Sequence, residues 1–73
     1  RKGGAYPVVM NAANEILVRY YADGIIKFYD IPYYILRALD ELAAHASADT
    51  AEQILSLHAR TVQFVNRDVG SRT

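Results

Sequence analysis

The sequence predicts an all-α fold, a small helical bundle of three main helices plus a short helical turn. Two observations carry this prediction: apolar residues recur at helical spacing in three segments, and Gly, Pro or short polar residues stand at the segment ends. The chain has 73 residues, of which 52% are hydrophobic, and this composition is typical of a globular chain. A domain of this size buries only about 60% of its unfolded surface, so we expect marginal stability in isolation.

The first helix is predicted over residues 7–23. Pro7 suits the first turn of a helix, and Gly24 can adopt the left-handed conformation that closes one. Gly3 and Gly4 predict a flexible lead-in. The apolar face between these ends consists of Val9, Ala12, Ala13, Ile16, Leu17 and Tyr20.

Residues 25–29 are short and apolar, so a strand is one interpretation. Because an isolated strand would have no partner in this chain, we expect an extended connector instead, with Ile26 and Phe28 in the core. Asp30 is then predicted to cap the second helix, with Pro32 tolerated in its first turn.

The second helix is predicted over residues 31–46. Charged side chains at Arg37, Asp40 and Glu41 are expected to face water. The expected buried stripe consists of Ile31, Ile35, Ala38, Leu39, Leu42 and Ala46.

Short polar residues break the helical pattern after residue 46. Thr50 and Gln53 fit a weak capping box, which predicts a short helical turn over residues 51–55. Ser56 is expected to cap a last helix over residues 57–69, and residues 70–73 are expected to form a frayed tail. The predicted inner side of the last helix carries His58, Val62, Val65 and Val69, with Phe64 beside them.

Composition excludes several classes of function. The 8 basic and 8 acidic residues give a formal net charge of zero, which argues against a nucleic-acid binder. Without cysteine there is no disulfide, thiolate catalyst or Cys-ligated zinc. His45 and His58 lack the spacing of metal ligands, and no glycine-rich phosphate loop is present. The sequence therefore predicts no catalytic, cofactor-binding or metal-binding residue.

Asn11, Asn14 and Glu15 lie three and four residues apart, so they project from one side of the first helix. Asn is unfavourable in a helix interior, and two on one side indicate a specific task. One interpretation is a polar contact to a ligand or a catalytic neighbour. The favoured interpretation is structural: the amides satisfy backbone groups of a packed loop. The 6 tyrosines are many for so short a chain and predict an interface with a missing partner.

Two motifs follow one another at a fixed separation. The first is N-A-A-N-E at residues 11–15, entered through Pro7, and the second is G-x-I-x-F-x-D-I at residues 24–31. An Ile-Leu-Ser turn at residues 54–56 precedes the last helix. Together they resemble the C-terminal region of the 1-deoxy-D-xylulose 5-phosphate reductoisomerase family. The resemblance covers nearly the whole chain and is strongest over residues 7–42.

The resemblance implies part of an NADPH-dependent oxidoreductase that makes 2-C-methyl-D-erythritol 4-phosphate in non-mevalonate isoprenoid biosynthesis. It implies that NADPH and Mg or Mn bind to an N-terminal and a central domain, and that the enzyme is a homodimer. The C-terminal helical bundle is expected to contact the catalytic domain. The fragment itself is then expected to bind no cofactor and to be inactive. The implied location is the bacterial cytoplasm or a plastid, with no membrane or nucleic-acid partner.

No catalytic residue of the family is carried over, and five residues are expected to form a structural motif: Asn11, Asn14, Glu15, Gly24 and Asp30. His58 stands where the family has an acidic residue. Because the family's bundle has a further helix upstream, we expect an exposed apolar stripe and self-association of the fragment. Arg1 in place of an initiator Met also predicts a fragment. The alternative is a free-standing helical module that binds a partner helix through exposed tyrosines.

Overall fold

The computed structural model describes residues 4–72. These residues form three α-helices and one 3-10 helix: α1 Ala5–Ala22, α2 Asp30–Glu41, the 3-10 helix Ala43–His45, and α3 Ala51–Arg72. The described part of the chain contains no strand, so the predicted all-α class with three main helices is confirmed. None of its helices is long and apolar enough to cross a membrane.

The core lies where α1 packs against both other helices, whereas α2 and α3 touch each other less. The largest fully buried side chains are Leu17, Leu57, Val9, Val65, Val69 and Thr61. Ala12 and Ala13 are fully buried as well. Their small side chains let the neighbouring elements approach the α1 backbone closely, and close approach maximises dispersion contacts in so small a core.

The end of α1 is closed by Gly24, whose φ of 77° lies in the left-handed region. The amide of Gly24 donates to the carbonyl of Tyr21, and the amide of Ile25 donates to that of Tyr20, both at 3.0 Å. This pair of bonds is a Schellman motif, so the helix closure predicted for Gly24 is confirmed. At its other end α1 begins at Ala5, two residues before the predicted start.

The connector between α1 and α2 is a turn rather than an extended segment. The amide of Asp30 donates to the carbonyl of Lys27 at 2.9 Å, and the Asp30 carboxylate accepts a hydrogen bond from the amide of Lys27 at 2.9 Å. Asp30 therefore closes the turn before α2. The prediction that Asp30 caps the helix is wrong, because α2 already begins at Asp30. Ile26 is buried as predicted, but the prediction that Phe28 enters the core is wrong, since Phe28 is 68% exposed.

The second helix ends at Glu41, five residues before the predicted end. Leu42 has a φ of −115°, a 3-10 turn follows, and the chain is extended at Ala46. Alanine favours a continuing helix here, but Ala43 is buried, and packing overrides the local preference. All six residues of the predicted stripe are buried or half-buried, and Tyr34, which the prediction left out, is buried with them.

The capping box that opens α3 is confirmed. The amide of Gln53 donates to Thr50 Oγ1 at 3.1 Å, and Gln53 Oε1 accepts from the amides of Thr50 and Asp49 at 3.3 and 2.8 Å. The helix that follows is continuous, so the predicted break between a short turn and a last helix capped by Ser56 is wrong. Since residues 51–57 contain neither Gly nor Pro, nothing local interrupts the helix.

The C-terminal part of α3 also differs from the prediction. Residues 70–72 are helical rather than frayed, because Ser71 and Arg72 both bond to Asp68 one turn earlier. The buried face of α3 consists of Leu57, Thr61, Val65, Asp68 and Val69. His58, expected on the inner side, is half-exposed instead. The predictions for Gly3 and Thr73 lie outside the described residues.

Candidate docking surface on the first helix

Eight of the ten exposed residues of α1 are uncharged. They are Tyr6, Pro7, Met10, Asn11, Asn14, Val18, Tyr21 and Ala22, here called the α1 face. Four of them, spaced every fourth residue from Tyr6 to Val18, line up along the helix axis. Glu15 and Arg19, the charged exposed residues of α1, lie at the edge of this face. A solvated helix normally carries polar and charged residues on its outer side, so the α1 face has the character of an interface.

The motif residues on α1 are separated by the fold. Asn11 and Asn14 are exposed on the α1 face, and within residues 4–72 neither amide has a hydrogen-bond partner. The packed loop that the sequence suggested for them is therefore not supplied by the described part of this chain. Glu15 turns towards α3, where its Oε1 lies 3.8 Å from His58 Nε2. Both side chains of this pair are half-exposed or more, so the contact contributes little to stability.

The exposed apolar surface continues from the end of α1 onto the turn before α2. Ile25, Phe28 and Tyr29 are all exposed, the last two by 68% and 71%. The rings of Phe28 and Tyr21 meet edge to face, with centroids 5.5 Å apart and planes at 66°. The turn and the α1 face are therefore in direct contact through Tyr21.

A charged cluster that the sequence analysis missed joins α2 to the end of α3. Asp68 is only 7% exposed, and its carboxylate accepts hydrogen bonds from Arg37 Nε at 2.6 Å, Arg37 Nη2 at 3.1 Å and Arg72 Nε at 3.2 Å. Burial raises the pKa of the Asp68 carboxyl, but the two arginines outweigh this effect and hold the pKa below its usual value. Arg37, which was expected to face water, is only 34% exposed and bonds to Asp68. The expectation that Arg72 lies in a frayed tail is wrong, since Arg72 belongs to α3.

Two tyrosines of α2 complete this cluster. The guanidinium of Arg72 lies 5.4 Å from the centre of the Tyr33 ring. Burial raises the pKa of the neighbouring Tyr34 hydroxyl, and the Asp68 charge adds to the rise. One signal in the sequence pointed to the cluster: Asp68 stands four residues before Arg72 and beside Val69, on the apolar side of α3. Its partner on α2 could not be read from the sequence.

Two grooves lie on the described surface, beside α3. One of about 260 Å³ between α1 and α3 is lined by Arg19, Tyr20 and Asn66, and the Tyr20 hydroxyl donates to Asn66 Oδ1 at 2.6 Å. A wider groove of about 640 Å³ near the start of α3 is lined by polar residues that include His45 and Arg60. Residues 4–72 contain no group of three or more His, Asp or Glu that could hold a metal ion.

Residues 4–72 form a compact all-α domain, and the uncharged α1 face is its candidate docking surface. A family model described as the DXP reductoisomerase C-terminal domain matches residues 1–64. The chain therefore belongs to this family.

Curated relatives carry the same enzyme name. The chain is 37% identical over 71 residues to 1-deoxy-D-xylulose 5-phosphate reductoisomerase of Cupriavidus metallidurans, a match that covers 97% of this chain and 18% of the relative. It is 39% identical over 67 residues to the enzyme of Xanthomonas oryzae pv. oryzae, covering 92% and 17%. With the enzyme of Sulfurihydrogenibium sp. it shares 36% identity over 64 residues, covering 88% and 17%. The chain thus spans less than a fifth of these relatives. No solved structure matches it.

Proposed function

We propose that this chain is the C-terminal supporting domain of a 1-deoxy-D-xylulose 5-phosphate reductoisomerase. Family membership supports this function, and the observation that carries it is the uncharged exposed face of α1. In this proposal the rest of the enzyme performs the NADPH- and Mg- or Mn-dependent reaction and the 73 residues perform none. The proposed setting is the bacterial cytoplasm, since the relatives named above are bacterial enzymes.

The proposed partner is the catalytic domain of the same polypeptide, which covers the α1 face. Burial of Met10 and Val18 there supplies apolar contact at roughly 25 cal/mol per Å² of surface removed from water. The Asn11 and Asn14 amides would then bond to polar groups of that domain, because amides buried without partners would weaken the contact. Assembly into a homodimer belongs to the whole enzyme. The isolated chain, with the face uncovered, is expected to self-associate.

A chimeric enzyme tests the proposal. This chain replaces the matching region of the Cupriavidus metallidurans relative, and folding yield, melting temperature and NADPH oxidation are compared with those of an enzyme that lacks the region. The chimera is expected to fold and turn over, and the truncated enzyme to lose folded protein. A truncated enzyme as stable and active as the chimera would contradict a supporting role.

A matched pair of substitutions then locates the support on the α1 face. Val18→Asp places a charge on that face and is expected to lower the melting temperature and yield of the chimera. Leu55→Asp places the same charge at an exposed residue of α3 and is expected to change little. Equal effects of the two substitutions would exclude α1 as the docking surface.

A further inference from the structure

We infer that the turn between α1 and α2 anchors this docking, with the Phe28 ring inserted into an apolar pocket of the catalytic part of the same polypeptide. The inference rests on the proposed function and adds the residue on which the contact depends. Its starting point is a misplaced side chain: Phe28 belongs to an apolar run yet lies outside the core.

The exposure of Phe28 is unfavourable for this domain by itself. At 68% exposure the ring keeps most of its apolar surface in water, and its one ring contact within the described residues is with Tyr21. Burying an aromatic ring is favourable, and a domain of 73 residues would gain that free energy by turning the ring inwards. The fold instead buries Ile26 and Ile31 on either side of it.

The backbone around Phe28 is fixed, so the ring is held in an outward position. The amide of Ile31 donates to the carbonyl of Phe28 at 3.2 Å, and Asp30 and Lys27 bond to each other twice. Buried isoleucines at residues 26 and 31 hold the turn from both ends. A ring presented on a fixed turn loses little conformational entropy when it binds, and such preorganised aromatic residues are typical centres of binding energy.

The occupant of this surface is the remainder of the same polypeptide. The chain spans 17–18% of the relatives named above, and the matching family model describes a C-terminal domain, so a much longer stretch of protein precedes it in those enzymes. The contact between Phe28 and Tyr21 makes the turn continuous with the α1 face. One partner surface can therefore cover both.

Hydroxyl-radical footprinting of the intact enzyme tests the anchor, with labelling of each residue normalised to the unfolded protein. Phe28 is expected to be strongly protected, and Leu55, which is 71% exposed on α3, is expected to be labelled freely. Protection of Met10 and Tyr21 without protection of Phe28 would overturn the anchor and leave the proposed function standing. Free labelling of all three would overturn both. Protection that disappears on dilution would identify a second copy as the occupant and would also overturn the inference.

A substitution pair gives a second readout in the same intact protein. Phe28→Ala should leave the domain folded, because the ring is outside its core, but should loosen docking roughly thirtyfold, the effect of losing about 2 kcal/mol at a binding centre. Labelling of Met10 is expected to rise accordingly. Leu55→Ala is the matched control and is expected to leave Met10 labelling unchanged. If Phe28→Ala also leaves it unchanged, Phe28 is not the anchor.

Discussion

Replacing Asp68 by Asn removes a buried charge that joins α2 to the end of α3. The carboxylate is 7% exposed and accepts bonds from both Arg37 and Arg72. Removing one partner of a buried ion pair costs about 3–5 kcal/mol when the other charge stays buried. Here the two arginine side chains are 34% and 41% exposed and can reach water, so we expect a loss of about 2 kcal/mol.

This loss is measurable by urea and thermal unfolding of the 73-residue chain, followed by helical circular dichroism at low protein concentration. A domain of this length has a free energy of unfolding of roughly 4–11 kcal/mol, so the variant should still fold. The melting temperature should fall by about 8–16 °C. Asp40→Asn, at an exposed acidic residue of α2, is the control and is expected to leave it unchanged. Equal melting of the two variants would refute the reasoning.

The ion pair between Asp68 and the two arginines also predicts a pH dependence of the stability of the chain. Because the arginines hold the pKa of Asp68 below its unfolded value of about 3.9, the unfolded chain binds more protons between the two pKa values. The stability contributed by Asp68 is therefore fully present above the unfolded pKa and is lost as pH falls through the folded pKa. The difference between the wild-type chain and Asp68→Asn should be constant near neutral pH and shrink below about pH 4. A difference independent of pH down to acid unfolding would contradict the ion pair.

Five further substitutions test the helix ends and the core. Gly24→Ala should lower the free energy of unfolding by about 1 kcal/mol, because φ is 77° at this residue. Gly70→Ala, within α3, should raise it by about 0.5–1 kcal/mol. The melting temperatures of the two variants should therefore shift in opposite directions. Thr50→Ala should cost about 1 kcal/mol through loss of the capping box, and equal melting of the variant and the wild-type chain would contradict it. Leu17→Ala should cost about 3 kcal/mol and Leu36→Ala, at an exposed residue, less than 1, as measured by urea unfolding.

Local signals in the sequence predicted much of the fold. Gly24 marked the end of α1, Thr50 and Gln53 marked the start of α3, and apolar spacing identified the three helices. These features depend on neighbours in the chain, so short patterns contain them. The end of α2 at Glu41 was missed because packing of buried Ala43 overrides the local preference for helix. The break at Ser56 was predicted although residues 51–57 contain neither Gly nor Pro, so α3 continues through it.

Contacts between distant residues were missed for a different reason. Arg37 and Asp68 are 31 residues apart, and nothing in either local pattern indicates the other. An arginine on a helix is usually solvated, so the sequence favoured water over a partner on α3. Periodicity does show that Asp68 falls on the apolar side of α3, and a charge in that position requires a partner.

The exposure of Asn11, Asn14 and Phe28 is a third kind of difference between the sequence-based predictions and the structure. Asn11 and Asn14 were expected to bond to groups of a packed loop and Phe28 to enter the core, and all three are exposed. In each case the residue type indicated burial, and the described residues do not provide it. These three differences share one physical explanation if a single partner covers α1 and the turn, since amides and an aromatic ring are then buried together. That explanation requires all three residues to be protected from solvent in the intact enzyme. If even one of them is freely exposed there, a single partner surface does not explain its position.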